Sequence, residues 1–109
     1  MFGFLKGGKS ASVDIDGAAA ADMARTGGAV LVDVREDDEW RGLNVKGALH
    51  LPMSRWASGV DQLPRDRSLI FFCASGMRSA RALMAARNIG LDAAGHVTGG
   101  IGALKRAGL

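Results

Sequence analysis

The sequence predicts one α/β domain, with a mainly parallel sheet of about five strands and helices on both faces. Strand-like and helix-like segments alternate at short intervals, which is typical of parallel sheets whose crossovers are helices. Residues 29–34 and 68–73 are almost wholly apolar and therefore indicate strands buried on both faces. The length of 109 residues, with 48% hydrophobic and 23% charged residues, suits a single globular domain.

The first half of the chain supplies three strands and two helices. Residues 12–15 suit a short edge strand, and Asp16 is a candidate N-cap for the Ala-rich helix that follows. The glycine pair at 27–28 ends that helix, because glycine tolerates the left-handed backbone found beyond helix C-termini. Residues 36–41 run from acidic to basic and suit a short helix aligned with its dipole. Residues 48–51 are predicted to form another short strand.

The second half begins at Ser54, which we expect to cap a helix through residue 63. The strand over residues 68–73 follows. Residues 76–88 then have apolar side chains at helical spacing, so we expect a helix there. Residues 93–98 suit a last strand, after which a glycine pair leads into a short terminal helix.

We expect the domain to occupy residues 12–109, preceded by a flexible lead over residues 1–11. The apolar part of the lead is too short for a secretion signal, and its first Lys follows that part instead of preceding it. No run approaches the roughly 18 apolar residues of a membrane span. The expected compartment is the cytoplasm, where a lone thiol stays reduced. We do not expect a membrane as a partner.

Composition excludes several other classes of protein. One Cys cannot form a disulfide within the chain, and one Cys with two His is too few for the usual closed zinc site. We therefore expect neither a metal nor an organic cofactor. The net charge is +3, but the basic residues form no long run and there is no Tyr for base stacking. Nucleic acid is not an expected partner, although the positive charge helps to attract a small anion.

The segment over residues 69–79 carries the candidate chemistry. A buried strand delivers Cys73 to its carboxyl end, where open parallel sheets form their binding sites. Gly76 allows unusual backbone angles in the next loop, and a helix starts at about Arg78. Amide N–H groups ahead of a helix N-terminus form a nest that favours an anion. We expect this nest to lower the pKa of Cys73 below the usual value of about 8.5 and to make the sulfur nucleophilic.

This loop resembles the active-site loop of the rhodanese domains, which are sulfurtransferases with the pattern Cys-x-x-Gly-x-Arg-Ser. Its residues here are Cys73, Ala74, Ser75, Gly76, Met77, Arg78 and Ser79. Further segments are similar to that family in the correct order: Asp33-Val34-Arg35 with Glu39-Trp40, Val45-Lys46-Gly47-Ala48, and Val97-Thr98-Gly99-Gly100. The resemblance covers the chain from about residue 13 to residue 104 and implies the rhodanese-like fold.

The sequence departs from the family pattern in two segments. Leu43-Asn44 stands where the family has Gly-His, and Leu104 stands where a large aromatic residue often follows the glycine pair. Neither departure touches the loop from Cys73 to Ser79. The fold is therefore expected to survive, with at most a small change in loop position near the site.

The resemblance implies a thiosulfate sulfurtransferase that works by a two-step transfer. Cys73 takes the outer sulfur of a small anionic donor such as thiosulfate, and Arg78 orients or neutralises that donor. An external acceptor (cyanide, a thiol or a protein cysteine) then removes the sulfur, because the chain has no second Cys to resolve a persulfide. The residues expected to bind the substrate are Ala74, Ser75, Gly76, Met77 and Ser79.

Two other kinds of function remain open from the sequence. A non-catalytic docking or redox-sensing module would keep the fold and a reactive cysteine without turnover. A phosphatase or arsenate reductase is disfavoured, because the related tyrosine phosphatases place one more residue between Cys and Arg than the four found here. The shorter loop makes a smaller cradle, which suits one sulfur atom better than a tetrahedral phosphate.

The remaining polar residues are interpreted as structural. Asp33, Arg35 and Glu39 are expected to support the loop from behind, with Arg35 and Glu39 forming an ion pair. His50 and His96 lie outside any ligand spacing, and each is interpreted as a satisfied or surface histidine. No pairing of Cys73 with a histidine is expected.

Overall fold

The computed structural model describes residues 13–109, in which five parallel strands form one sheet. The strands are β1 (Asp14–Ile15), β2 (Val30–Asp33), β3 (Leu49–His50), β4 (Leu69–Phe72) and β5 (Ala93–Val97). Their order across the sheet is β1-β5-β4-β2-β3. The α/β class and the mainly parallel five-stranded sheet are therefore confirmed. The predicted flexible lead over residues 1–11 lies outside the described residues.

The helices lie close to the segments that the sequence predicts. They are α1 (Gly17–Arg25), α2 (Asp37–Gly42), α3 (Trp56–Gly59), α4 (Met77–Asn88) and α5 (Gly100–Arg106). Asp16 caps α1 as expected, with its Oδ1 accepting the N–H of Ala19 at 2.8 Å. Across residues 13–109, no helix is both long enough and apolar enough to cross a membrane.

Each face of the sheet buries its own apolar cluster. Side chains alternate along β4, so Leu69 and Phe71 join one cluster while Ile70 and Phe72 join the other. The first cluster packs against α4 and the turns around α3, and the second packs against α1 and α5. All of β4 is buried, which explains its unbroken apolar sequence. Helices cover both faces, as the sequence predicts.

The predicted helix from Ser54 to residue 63 is wrong. In its place, the short helix α3 lies between two 3₁₀ turns, Met53–Arg55 and Val60–Gln62. A Cβ on Gly59 would lie 2.4 Å from Leu51 Cδ1, so the end of the Leu51 side chain would have to shift to admit one, and glycine itself is a weak helix former. Ser54 caps no helix, because its hydroxyl donates to Glu36 Oε1 at 2.5 Å. The segment is therefore tied to the residue before α2.

The order of the strands gathers the candidate loops at one edge of the sheet. β2 pairs with β3 on one side and with β4 on the other, so the direction of winding reverses between β2 and β4. Binding crevices of open α/β sheets lie beyond the carboxyl ends of the strands at such a reversal. Asp33 ends β2, and Cys73 directly follows β4.

Candidate active site

Cys73 lies where β4 ends and a tight loop begins. Its carbonyl oxygen accepts the N–H of Ile101 at 2.8 Å, which ties the loop to the start of α5. Gly76 has a φ of 132°, a backbone conformation that other residues adopt only with strain. The chain thus curls back around the sulfur before α4 begins at Met77.

Two amides and one hydroxyl surround the sulfur, and we call these three groups the sulfur nest. The N–H groups of Gly76 and Ser79 donate to Cys73 Sγ at 3.1 and 3.4 Å. The hydroxyl oxygen of Ser79 lies 3.4 Å from the same sulfur. Ser79 is fully buried, so its two contacts form away from solvent, whereas the bond from Gly76 is partly buried. Such convergent dipoles stabilise negative charge on a single atom.

Opposing effects set the pKa of Cys73. Burial raises this pKa, because a thiolate loses hydration when it leaves water. The Ser79 hydroxyl and the amides of Ser79, Gly76 and Ser75 lower it by hydrogen bonding to the anion, and they outweigh burial. The pKa of Cys73 therefore lies below its ordinary value, in the direction that the sequence predicts.

The sulfur is more enclosed than that of a typical surface nucleophile, since Cys73 is only 1% exposed. Gly100 contributes to the enclosure by lying directly against the loop backbone. A Cβ on Gly100 would lie 2.2 Å from the carbonyl oxygen of Ala74, so a side chain there would force the loop to move. Packing against the loop thus explains why a glycine stands at this position.

The other residues of the loop divide into an outer and an inner group. Ala74, Ser75 and Met77 are exposed, and Met77 presents 75% of its surface to solvent. Ser79 is different, because it lies beneath the sulfur in the interior of the protein. Its position gives it contact with the sulfur atom and no direct access to solvent.

Arg78 forms a bidentate ion pair with Glu39. Its Nη1 and Nη2 atoms donate to Glu39 Oε1 and Oε2 at 2.6 and 2.9 Å, and the two side chains are 32% and 35% exposed. Hydrogen bonding to Arg78 is the main cause that lowers the pKa of Glu39 to about 2. The same bond raises the pKa of Arg78. Glu39 thus offsets the positive charge of Arg78 at the rim of the site.

The predicted ion pair between Arg35 and Glu39 is wrong, because the carboxylate of Glu39 binds Arg78. The guanidinium of Arg35 instead binds the carboxylate of Asp33, with Nη2 and Oδ2 2.8 Å apart, and both residues are buried. Arg35 also donates to the carbonyl oxygens of Glu39 and Leu43, at 3.2 and 2.6 Å. Arg35 therefore fixes the backbone of α2 and of Leu43, the residue that follows this helix. Leu43 is one of the residues that depart from the family pattern.

Sequence reasoning missed a contact of His96 with the site. His96 Nδ1 lies 2.9 Å from Ser79 Oγ, and its Nε2 lies 3.1 Å from Asp14 Oδ1. One available signal was position: His96 is near the carboxyl end of β5, and the carboxyl ends of parallel strands meet at one edge of the sheet. Ser79 and His96 are 17 residues apart in the sequence, so their spacing did not indicate that they are in contact.

His50 fits the structural interpretation. Its Nε2 lies 2.8 Å from the carbonyl oxygen of Arg35, and its ring stacks on Trp40 with a centroid distance of 5.1 Å. These contacts place it on the β3 side of the sheet, and two strands, β2 and β4, separate it from the strand of His96.

Comparison with known proteins gives a consistent family. Residues 17–107 match the family model of the rhodanese-like domain. A sulfurtransferase of Allochromatium vinosum is 33% identical, with 80% of this chain and 81% of that protein covered. The probable adenylyltransferase/sulfurtransferase MoeZ of Mycobacterium tuberculosis is 41% identical over 65% of this chain. This chain spans only 19% of the length of MoeZ.

The fold is likewise similar to solved structures. The crystal structure of a rhodanese-related protein from Thermoplasma volcanium has a TM-score of 0.79 and 27% sequence identity. The similarity covers 88% of this chain and 93% of that chain. The correspondence therefore covers most of the α/β fold.

Proposed function

Because this chain belongs to the rhodanese-like domain family, we propose that it is a sulfurtransferase that carries a sulfane sulfur on Cys73. The observation that carries the proposal is the sulfur nest, in which two amides and a hydroxyl lie within 3.4 Å of Cys73 Sγ. Groups fixed in this way stabilise developing negative charge without reorganising during the reaction.

In the first step, the Cys73 thiolate attacks the outer sulfur of a donor such as thiosulfate. The S–S bond of thiosulfate breaks, and its electron pair leaves with sulfite. A new S–S bond forms at Cys73, so that the terminal sulfur of the persulfide carries the negative charge. The amides of Gly76 and Ser79, which donate to Cys73 Sγ in the free protein, would stabilise that charge.

In the second step, an external nucleophile takes the terminal sulfur. With cyanide, a carbon–sulfur bond forms, the persulfide S–S bond breaks, and the electron pair of that bond returns to Cys73 as a thiolate. A thiol or a protein cysteine would accept the sulfur in the same way. An external acceptor is required because the sequence contains no second Cys.

We expect Arg78 to attract an anionic donor, although its pairing with Glu39 weakens that attraction. Its guanidinium is bound by Glu39, so an approaching dianion meets an ion pair instead of a free cation. The exposed side chains of Ala74, Ser75 and Met77 form the approach to the sulfur.

The second candidate is a docking or redox-sensing module that does not turn over. The enclosure of Cys73 favours it, because a sulfur that is 1% exposed requires the loop to open for any bulky reactant. Such a module would form no persulfide, or it would hold one without passing the sulfur on.

Intact-mass measurement separates the two candidates. After treatment with thiosulfate, we expect the protein to gain the mass of one sulfur atom and to lose it again when cyanide is added. Cys73→Ser is the matched control, because it changes one buried atom and should fold normally while gaining nothing. Absence of the added sulfur on the unaltered protein would reject the sulfurtransferase, and a sulfur that cyanide does not remove would favour the non-catalytic module.

A further inference from the structure

A hydrogen-bonded chain leads from Cys73 to the surface on the side away from Arg78. Ser79 Oγ lies 3.4 Å from Cys73 Sγ and 2.9 Å from His96 Nδ1. The other ring nitrogen of His96 lies 3.1 Å from Asp14 Oδ1. Ser79 and His96 are buried, whereas the side chain of Asp14 is 69% exposed. The sulfur, the imidazole and a solvated carboxylate are thus connected through one hydroxyl.

The chemistry of the end groups determines where the protons lie. A carboxylate only accepts hydrogen bonds, so His96 Nε2 carries a proton that it donates to Asp14. In a neutral ring, Nδ1 is then an acceptor and takes the hydroxyl proton of Ser79, because it lies 2.9 Å from Oγ whereas the carbonyl oxygen of Gly76 lies at 3.2 Å. Ser79 in turn can accept from the thiol of Cys73. This arrangement is a continuous donor sequence from sulfur to imidazole.

A single hydroxyl proton links the charge of the sulfur to that of the ring. When Nδ1 is protonated it donates to Ser79 Oγ, and the Ser79 proton becomes free to point at the sulfur. That direction suits a thiolate, which accepts hydrogen bonds more strongly than a thiol. Both hydrogen bonds therefore reverse together when the proton moves.

On the basis of the proposed function, we propose that His96 is a positioning residue that acts through Ser79 to take up the proton of Cys73 and to keep the sulfur anionic. The S–H bond breaks with its electron pair left on the sulfur, and the proton passes to Ser79 Oγ. The former hydroxyl proton of Ser79 passes to His96 Nδ1, so one imidazolium and one thiolate result. Asp14 orients the ring and stabilises its positive charge.

The surroundings of His96 contain no second carboxylate among its described contacts. The neighbouring strands contribute Asp14 on β1 and Phe71 on β4, which are its register partners. From α4, Arg78 directs its guanidinium to Glu39, and Arg87 binds the carbonyl oxygens of Ala93 and Ala94 at the other end of β5. The path through Ser79 is therefore the direct link between the ring and the reacting sulfur.

The test is a pH titration of the thiolate by its ultraviolet absorbance, which reports Cys73 alone because the chain has one Cys. His96→Asn keeps a hydrogen-bonding amide near the position of Nδ1 but takes up no proton. We expect it to raise the midpoint of Cys73 ionisation by about one pH unit. Persulfide formation from thiosulfate should fall about tenfold at neutral pH and recover in alkaline buffer, where the thiol ionises unaided.

Two further variants keep the result decisive. Asp14→Asn alters an exposed side chain, and it should shift the midpoint by a smaller amount in the same direction. His50→Asn is the control, because His50 is the other histidine and does not contact the sulfur nest; its midpoint should equal that of the unaltered protein. Unchanged midpoints in both His96→Asn and Asp14→Asn would overturn the proposal. The titration involves no sulfur transfer, so its outcome is separate from failure of the unaltered protein to form a persulfide.

Discussion

Arg78 and Ser79 are neighbours in the chain, yet they belong to two different networks on opposite sides of the loop that follows Cys73. Arg78 extends to the rim, where it pairs with the carboxylate of Glu39 and remains about one-third exposed. Ser79 turns inward, where its amide and hydroxyl contact the sulfur and its oxygen meets His96. The rim network carries full charges, whereas the inner one stabilises the sulfur mostly with dipoles.

The contrast indicates how the protein favours an anionic form of the sulfur without a cation in direct contact with it. Dipoles fixed by the backbone lose less of their effect to solvent than exposed charges do, because the groups around the sulfur are buried or partly buried. The charges of Arg78 and Glu39 are screened by water and offset each other. Changes to the inner network should therefore alter the reactivity of Cys73, and changes at the rim should alter the choice of donor.

The largest effect is expected from Gly76→Ala. A side chain at φ 132° strains the loop and moves the amide that lies 3.1 Å from the sulfur. Loss of one such donor lowers kcat by about 10²- to 10³-fold. Gly90→Ala is the matched control, because Gly90 also has a positive φ of 85° but lies beyond the far end of α4. Both variants should lose stability in denaturant titrations, and equal loss of kcat in both would contradict this role for Gly76.

Ser79→Ala should have the next largest effect. It removes the hydroxyl that favours the anionic sulfur but retains the amide, so the pKa of Cys73 should rise and persulfide formation at neutral pH should fall about tenfold. Stopped-flow rates across a pH series would measure the change. Ser58→Ala, which removes an exposed hydroxyl bonded only to a nearby carbonyl oxygen, should behave like the unaltered protein. If persulfide formation by Ser79→Ala depends on pH in the same way as that by Ser58→Ala, the Ser79 hydroxyl does not stabilise the anionic sulfur.

A smaller and more selective effect is expected at the rim. Arg78→Ala should raise KM for thiosulfate by about three- to tenfold and leave KM for an uncharged sulfane-sulfur donor nearly unchanged. Glu39→Gln should lower KM for thiosulfate, because it leaves the charge of Arg78 uncompensated. Steady-state kinetics with the two donors measure both changes. Parallel changes for charged and uncharged donors would show that the pair acts only on loop geometry.

The smallest effect is a dependence of stability on acid pH. The pKa of Glu39 is about 2 in the folded protein and 4.5 ordinarily, so its pair with Arg78 stabilises the fold fully above about pH 4.5. This contribution disappears as the pH falls from 4.5 to 2. Thermal unfolding should show a shallower loss of Tm over that window for Glu39→Gln than for the unaltered protein. Identical slopes would mean that the ion pair adds nothing to stability.

The sequence predicted the sheet and the loop because their signals are local. An unbroken apolar run identified β4, and Gly76 with the following helical spacing located the turn that holds Cys73. The helix proposed from Ser54 was wrong, because the close approach of Gly59 to Leu51 depends on tertiary packing. Helix propensities describe single residues and therefore do not predict a contact between distant parts of the chain.

The partners of charged side chains were harder to predict. Arg35 lies four residues before Glu39, which suggested an ion pair, but Asp33 is buried beside Arg35 and needs its charge compensated more strongly. Glu39 is then available to Arg78, which is distant in sequence. The contact between Ser79 and His96 likewise depends on strand order, since β5 lies next to β4 in the sheet.

The claim at the centre of this account is that the sulfur nest lowers the pKa of Cys73 and so favours the anionic form of its sulfur. The most direct measurement is the thiolate absorbance of the unaltered protein against pH, with Cys73→Ser as the blank. We predict an ionisation midpoint clearly below the ordinary cysteine value of about 8.5. A midpoint at or above that value would mean that burial outweighs the hydrogen bonds, and it would contradict the claim.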